Sequence, residues 1–477
     1  MIFFDAGSRQ LLDRLSRRCK GARLVAAVIA TALGGCASFN GPYQSPSVNL
    51  PAEYRYAITG TAVASRDAWW KNFNDPKLNR LIESALVRNN NLAAATIRVR
   101  RAQLQAGLAD NNLMPQFSGS ANTGVSRRLE SNATNTRTNS VSLGASYEFD
   151  LWNKLGSQRD VARWEALATE QDRASTALTL IGTTAQLYWQ LGYLNERLAS
   201  GAQSVLYAQK TYELVQAQYR AGAVSGLEVS EAQQSLASQQ SSQSQLQQQV
   251  VEAQTALALL FDGPPGAVTA NPQVLPEAVL PAIAPGLPAD ILGRRPDLQA
   301  AELRVRGSFT SIDATRASFY PSLSLTGSLG SASAVLMNVL ENPVAALGLG
   351  VSLPFLNQTK MKLNIQVSEA QYEEAVVNFR QTLYTALGDV ENALSARQQL
   401  MAQARLLNES LVAASNAERL YEIRYRAGAA TLKSWLDAQE RRRTAEIAAE
   451  ANRLARLNNH VAIYKALGGD TAVAQQQ

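Results

Sequence analysis

The sequence predicts an α+β membrane protein: four short β-strands per chain, two very long helical hairpins and an internal two-fold repeat. Three observations predict it. The chain is written twice at one constant offset without a gap. Tyr219-Arg220-Ala221-Gly222-Ala223 returns as Tyr425-Arg426-Ala427-Gly428-Ala429, Arg98-Val99-Arg100 as Arg304-Val305-Arg306, and Pro115, Phe149 and Gly263 as Pro321, Phe355 and Gly469. A unit this long is a duplicated domain, not a short solenoid repeat. Each copy also holds two stretches of period two followed by long stretches of heptad period. The chain begins with an export segment.

Residues 1–35 read as a lipoprotein signal peptide. Arg9, Arg14, Arg17, Arg18, Lys20 and Arg23 make its start basic. Leu24 to Leu33 is apolar but, at about ten residues, too short to span a bilayer. Leu33-Gly34-Gly35-Cys36 closes the segment as a lipobox. Cys36 is then expected to become the mature N-terminus, carrying S-diacylglycerol and an N-palmitoyl chain; the plainer alternative is an ordinary signal peptide with a chance cysteine. Ala37, not Asp, resembles the bacterial sorting rule that sends a lipoprotein on to the outer membrane. The segment takes most of the chain's +6 with it. The mature chain is only weakly positive, so the basic pI is no argument for nucleic acid. Cys19 leaves as well, which excludes a disulfide. Residues 36–74 form a polar, lipidated tether.

Repeat 1 is placed at 75–263. Its first helix is expected from Asp75-Pro76 to about Asn112, with Leu78, Leu81, Ala85, Leu92 and Ala95 at helical spacing and Pro115 as the stop. A β-hairpin follows over 115–150. Phe117, Ala121, Thr123 and Val125 alternate with Ser118, Ser120 and Asn122. In the second strand Val141, Leu143, Ala145, Tyr147 and Phe149 alternate with Ser142, Gly144, Ser146 and Glu148. Repeat 2, at 284–469, carries its hairpin over 321–356. There Leu323, Leu325 and Leu329 alternate with Ser322, Ser324 and Thr326, and Leu347, Leu349, Val351, Leu353 and Phe355 alternate with Gly348, Gly350 and Ser352. Each strand is about nine to eleven residues, the length of a tilted membrane strand. The loops near 126–139 and 331–344 read as polar. A half-buried soluble sheet shows the same alternation, but these polar faces are small and nearly uncharged, which suits a water-filled bore.

A long helical hairpin follows each β-hairpin, over 154–261 and 358–467. From Lys154 to Arg220 there is no proline; as one helix this stretch would span roughly 100 Å. Leu191, Leu198, Val205, Tyr212 and Tyr219 keep a heptad seam, and so do Leu400, Leu407, Ala414, Tyr421 and Tyr425, with Glu418 as a polar intrusion. Seven prolines (Pro264, Pro265, Pro272, Pro276, Pro281, Pro285, Pro288) exclude helix between the copies; the linker proper is 264–283, and 470–477 is a polar tail.

Four strands cannot close a barrel, and an open edge in lipid leaves backbone groups unsatisfied. Several chains must therefore share one barrel. Two would give about eight strands with a filled interior; three would give about twelve and a lumen. In this order of elements, with Trp69-Trp70 and Phe73 ahead of Asp75-Pro76, Arg294-Arg295-Pro296-Asp297 opening the second copy, both Tyr-Arg-Ala-Gly turns and Leu436-Asp437-Ala438-Gln439, the chain resembles the outer membrane factor family. These are the TolC-like channels of tripartite efflux pumps, here in the OprM/NodT-type lipoprotein branch. The resemblance covers essentially all of the mature chain. It implies a homotrimer with a 12-stranded β-barrel, four strands per chain, continued by a long periplasmic α-helical barrel. It also implies partners: a periplasmic adaptor, an inner-membrane transporter and outer-membrane lipid. A polypeptide-export channel of the same architecture, or a non-channel coiled-coil lipoprotein of the periplasm, are the alternatives.

The resemblance carries the candidate sites. Tyr219, Arg220 and Gly222, with Tyr425, Arg426 and Gly428, fall at the hairpin tips, where the family meets its adaptor; pure turn geometry is the plainer role. Asp437 falls on the family's gating aspartate, with Lys433 and Glu440 departing from the family pattern beside it; a solvated helix carboxylate is the plainer role. A ring of such carboxylates near an axis would narrow a bore and favour cations. Trp69 and Trp70 are either an interfacial anchor or packing, Asp297 a helix-start residue, and His460 an ordinary polar position. One histidine, no free mature thiol, no metal-spaced cluster and no phosphate loop leave nothing to run a reaction, so no catalytic residue, metal or cofactor is expected.

Overall fold

The structure is a computed structural model describing residues 41–57, 68–127, 135–264, 272–276, 280, 286 and 288–469. Cys36, the signal segment, most of the linker and the tail lie outside the described residues. In chain order the elements are α1 (Pro76–Arg88), α2 (Asn90–Asn111), β1 (Gln116–Arg127), β2 (Asn135–Phe149), α3 (Lys154–Arg220), α4 (Gly226–Ala258), α5 (Pro296–Ala317), β3 (Ser322–Ser333), β4 (Val344–Ser352), α6 (Gln358–Arg426) and α7 (Leu432–Ala466). The duplication is visible in lengths: α2 and α5 each have 22 residues, and α3 and α6 have 67 and 69.

The expected single helix from Asp75 to Asn112 is two helices. Asp75 caps α1, its carboxylate accepting from Lys77 and Leu78 N–H. The break is at Asn89, which takes an extended conformation at ψ 124°. Its buried carboxamide accepts from Leu92 N–H at 3.0 Å and donates to Leu260 C=O at 2.8 Å. An asparagine that satisfies local backbone this way competes with the helix and starts a new one.

The chain forms two compact units. One comprises 41–47, Arg100–Leu167 and Glu302–Asn378. It holds an antiparallel sheet of order β1-β2-β3-β4. Residues directly opposite in such a ladder share a face, so the register sorts the side chains row by row. Phe149, Leu323 and Val351 share one face with Tyr147, Leu325 and Leu349, with Leu143 and Leu329, and with Phe117, Ala145 and Leu347. Ser118, Ser120, Ser142, Ser146, Ser324, Thr326, Ser328, Gly348 and Gly350 share the other. The apolar face is most exposed on the outer strands, where Phe117 is 82% exposed and Leu347 80%, and half-buried at Tyr147, Phe149, Leu323 and Leu325. On the polar face Ser120 and Ser142 hydroxyls lie 2.9 Å apart, and Thr326 Oγ1 donates to Gly348 C=O at 3.3 Å.

Two expectations about the second β-hairpin change. β4 ends at Ser352, and Pro354–Leu356 is a 3-10 turn, so Leu353 and Phe355 leave the alternation; Pro354 has no N–H to give the ladder. The loop after β3 is not polar in what it presents. Val335, Leu336, Met337 and Leu340 are exposed there, between the serines and asparagines that make the segment read as polar.

The second unit comprises Val48–Val99, Ala168–Ala301 and 379–469. Its core gathers α1, the middle of α3, the end of α4 and the end of α7 around Trp69, Trp70 and Phe73. Trp69 stacks on Tyr464 at 4.7 Å, and Phe73 meets Trp189 edge-on at 4.7 Å. Both tryptophans are buried, so packing, not an interfacial anchor, is their role. His460 corrects the expectation of an ordinary polar position: it is 1% exposed and lies edge-on to Phe73 at 5.4 Å. Burial, with Arg397 nearby, lowers its pKa to about 3. Asp297 is in the first turn of α5 and chelates Arg295 at 3.0 and 2.7 Å. Pro288 opens a 3-10 turn, Pro288–Gly293, at the end of the proline-rich stretch.

Candidate functional site

The tips are built alike in both copies. Gly222 has φ 73° and Gly428 φ 74°, a left-handed backbone that glycine adopts without a Cβ penalty. Gly222 N–H donates to Tyr219 C=O and Ala223 N–H to Gln218 C=O, both at 2.9 Å. Gly428 N–H donates to Tyr425 C=O at 2.9 Å and Ala429 N–H to Arg424 C=O at 2.8 Å. These paired bonds close the last carbonyls of α3 and α6 as a Schellman motif does. Ser225 and Glu228 then form a capping box for α4, and Thr431 caps α7 by accepting from Ser434 N–H at 3.2 Å.

The side chains at the tips are not alike. Tyr425 stacks on Trp435 at 5.1 Å and donates its hydroxyl to Gln218 at 2.7 Å. Trp435 also meets Tyr207 edge-on and packs with Val215, Ala232 and Leu432 in a small core. This core ties α6 and α7 to α3 and α4. Tyr219 is 52% exposed. Arg220 Nε donates to Gln216 C=O at 3.3 Å, and Arg426 pairs with Glu422 at 2.7 Å.

Lys433, Asp437 and Glu440 stand at helical spacing on one side of α7. Lys433 and Asp437 form an ion pair at 3.6 Å with side chains 69% and 48% exposed. Glu440 pairs instead with Arg443. The three are therefore divided between two pairs. The reach of α7 beyond them carries a ladder of charges that sequence reasoning missed. Arg442 pairs with Glu418 at 2.5 Å and with Glu446 at 2.7 Å, Arg197 lies 3.8 Å from Glu450, and Arg453 pairs with Glu196. Glu418 thus has a cation waiting for it. Glu450 is shifted up to about 7 by burial and by Glu196 and Glu446, which outweigh Arg197 and Arg453. A cleft of about 440 Å³ lined by Ser200, Tyr207, Gln239, Glu418, Arg442 and Arg443 opens beside the ladder.

Among the described residues no group of three or more His, Cys, Asp or Glu could hold a metal ion. No described helix is long and apolar enough to cross a membrane. Exposed apolar residues also run along two helices: Ile97, Leu104 and Leu108 on α2, and Leu363, Val367 and Val377 on α6.

A duplicated chain with a two-faced, open-edged sheet and capped helical hairpins defines an outer-membrane protein with a long periplasmic extension. The outer membrane efflux protein family matches residues 81–262 and 287–469, one match per copy, and the chain belongs to that family. It is 33% identical over 450 residues to the pyoverdine export outer membrane protein OpmQ of Pseudomonas aeruginosa, covering 92% of this chain and 94% of that one. It is 29% identical over 444 residues to the toxin and drug export protein A of Aggregatibacter actinomycetemcomitans, covering 93% and 96%. The open-state MtrE outer membrane channel of Neisseria gonorrhoeae superposes with a TM-score of 0.78 at 28% identity, covering 91% of this chain and 98% of that one.

Proposed function

We propose that three copies of this chain form the outer-membrane exit duct of a tripartite efflux system, a passive conduit for small molecules delivered by an inner-membrane transporter through a periplasmic adaptor. One observation carries the reading. From Phe149, Leu323 and Val351 to Leu143 and Leu329 the register puts the large apolar side chains of the sheet on one face and small polar ones on the other, with Val344 on the polar face and Thr123, Asn139 and Ser331 ending the apolar one, while β1 and β4 end the sheet unpaired. Unpaired strand edges are not tolerated in lipid. Three chains complete a closed ring of about twelve strands, wide enough for a lumen. The exposed stripes on α2 and α6 then face sister subunits in a helical barrel.

Within that assembly Cys36 carries the lipid anchor. Tyr219, Arg220 and Gly222, with the turn at Tyr425, Arg426 and Gly428, present the adaptor-facing end. Tyr219 is exposed where Tyr425 is half-buried, so the first tip offers its tyrosine more freely than the second. Asp437, repeated three times near the axis, narrows the bore. A second reading, export of a polypeptide, is favoured by one observation: the Aggregatibacter relative is named for toxin as well as drug export. Deletion of the gene discriminates: raised susceptibility to small toxicants supports efflux, and loss of a secreted polypeptide supports the other reading.

A Cys36→Ala protein tests the architecture. It is expected to remain with outer membranes and to run as a detergent-stable trimer, because the barrel, not the lipid, holds it. A freely soluble Cys36→Ala protein contradicts the strand assignment.

A further inference from the structure

The sheet ends unevenly on the side of its hairpin loops. β2 begins at Asn135, whereas β3 stops at Ser333, opposite Asn139. The chain from Ala334 to Pro343 therefore leaves the sheet short of the end of the β1–β2 hairpin. Two side chains fix where it goes. Asn139 pairs across to Thr123, and Ser331 lies opposite Val141, so both belong to the rows of the apolar face. Asn139 Nδ2 donates to Ser333 C=O at 3.2 Å and to Ala334 C=O at 3.3 Å. Ser331 Oγ donates to Asn342 C=O at 2.8 Å. The outgoing and returning limbs of the loop are thus both tied to side chains of that one face. Between the ties, the 3-10 turn Leu336–Asn338 and its neighbours expose Val335, Leu336, Met337 and Leu340, with Met337 88% exposed.

We propose that this loop is a lipid contact: Val335 to Leu340 fold over the outer rim of the apolar face and set Leu336, Met337 and Leu340 into the interfacial zone of the bilayer, extending the band begun by Leu329 and Leu143. The inference rests on reading that face as the lipid face. Exposed apolar residues grouped in one loop mark an interaction surface. Asn139 and Ser331, the polar residues between that loop and Leu143 and Leu329, are buried, and an apolar loop beside a lipid-facing band is matched by acyl chains just below the headgroups. The described flanks of the first loop are more polar: β2 starts Asn135, Thr136, Arg137, Thr138, and β1 ends Val125, Ser126, Arg127, with Val125 the one large apolar residue.

Single cysteines at Met337, at Leu349 on the apolar face and at Thr136 test this in full-length protein reconstituted in phosphatidylcholine vesicles. Each is labelled with an environment-sensitive fluorophore, and the parent protein sets the background. Nitroxide-bearing phosphatidylcholine and aqueous iodide serve as quenchers. The expected result is that the Met337 probe follows the Leu349 probe, quenched by nitroxide lipid and several-fold less by iodide than the Thr136 probe. If Met337 is quenched by iodide like Thr136 while Leu349 remains lipid-quenched, the loop stands in water and the proposal is overturned with the lipid face intact. If Met337 is shielded from both quenchers, a neighbouring copy covers it and the proposal is overturned. If Leu349 itself is not lipid-quenched, the reading of the sheet falls and the proposal with it.

Discussion

Tyr425 lies flat on Trp435, with ring centroids 5.1 Å apart and planes 27° from parallel, whereas its counterpart in the first copy, Tyr219, is exposed. Duplication gave both hairpins the same turn, and divergence half-buried only the second tyrosine, leaving both turns exposed. The ring pair closes a small core that joins the ends of all four long helices. Removing it should loosen the tip. Trp435→Ala is expected to cost about 3–5 kcal/mol locally, read as faster proteolysis at the turns and a higher conductance in planar bilayers. Trp435→Phe, which keeps a ring for Tyr425, is expected to restore much of both.

Asp437 and Lys433 form an exposed pair, and such pairs contribute about 0–1 kcal/mol. Asp437→Ala should therefore leave thermal stability nearly unchanged. If three copies of Asp437 narrow the bore, the same substitution raises single-channel conductance and weakens cation preference; unchanged conductance removes Asp437 from the gate.

His460 is held neutral by burial, its pKa falling from 6.5 to about 3. The unfolded chain binds the proton first as pH falls, so stability is complete above the unfolded value and declines between that value and the folded one. His460→Leu should flatten this decline. Melting temperatures from pH 7 down to pH 4 check it: the gap between variant and parent grows toward acid.

Glu450 shifts the other way, up to about 7 from 4.5. The folded chain holds this proton more tightly, so the contribution is present below the unfolded value and is lost as pH rises through the folded one. Glu450→Gln is expected to raise the melting temperature at pH 8 and to leave it unchanged near pH 4. A variant less stable than the parent at pH 8 would mean that the contact with Arg197 outweighs burial.

The two faces of the sheet should respond oppositely to charge. Leu349→Arg on the apolar face is expected to cost about 2–4 kcal/mol at bilayer mid-depth and to lower the yield of assembled protein in outer membranes. Ser328→Lys on the polar face should assemble normally and change ion selectivity. Equal effects at the two positions contradict the assignment of faces.

Much of this architecture was legible in the chain because period carries it. Alternation marked both β-hairpins, heptads marked α3 and α6, and the repeated Tyr-Arg-Ala-Gly fixed both turns. What period does not encode was missed. Asn89 splits a helix through its carboxamide, a tertiary bond to Leu260 that no spacing announces. Trp435 gave a faint signal, a lone large ring ten residues past Tyr425, but its partners come from α3 and α4. His460 sits among asparagines in sequence and among rings in space. The ladder from Glu418 to Arg453 pairs residues on three helices, and only a fold brings them together. The apolar run Val335-Leu336-Met337 with Val339-Leu340 stands in the sequence of the loop after β3, and reading that loop as polar from its flanking serines and asparagines overlooked it.

The native mass of the delipidated, detergent-solubilised chain tests the central claim most directly, since an open four-stranded sheet in lipid requires sister strands. The account predicts a particle of three copies with a ring-shaped projection down its axis. A single copy that dissolves in buffer without detergent would contradict it.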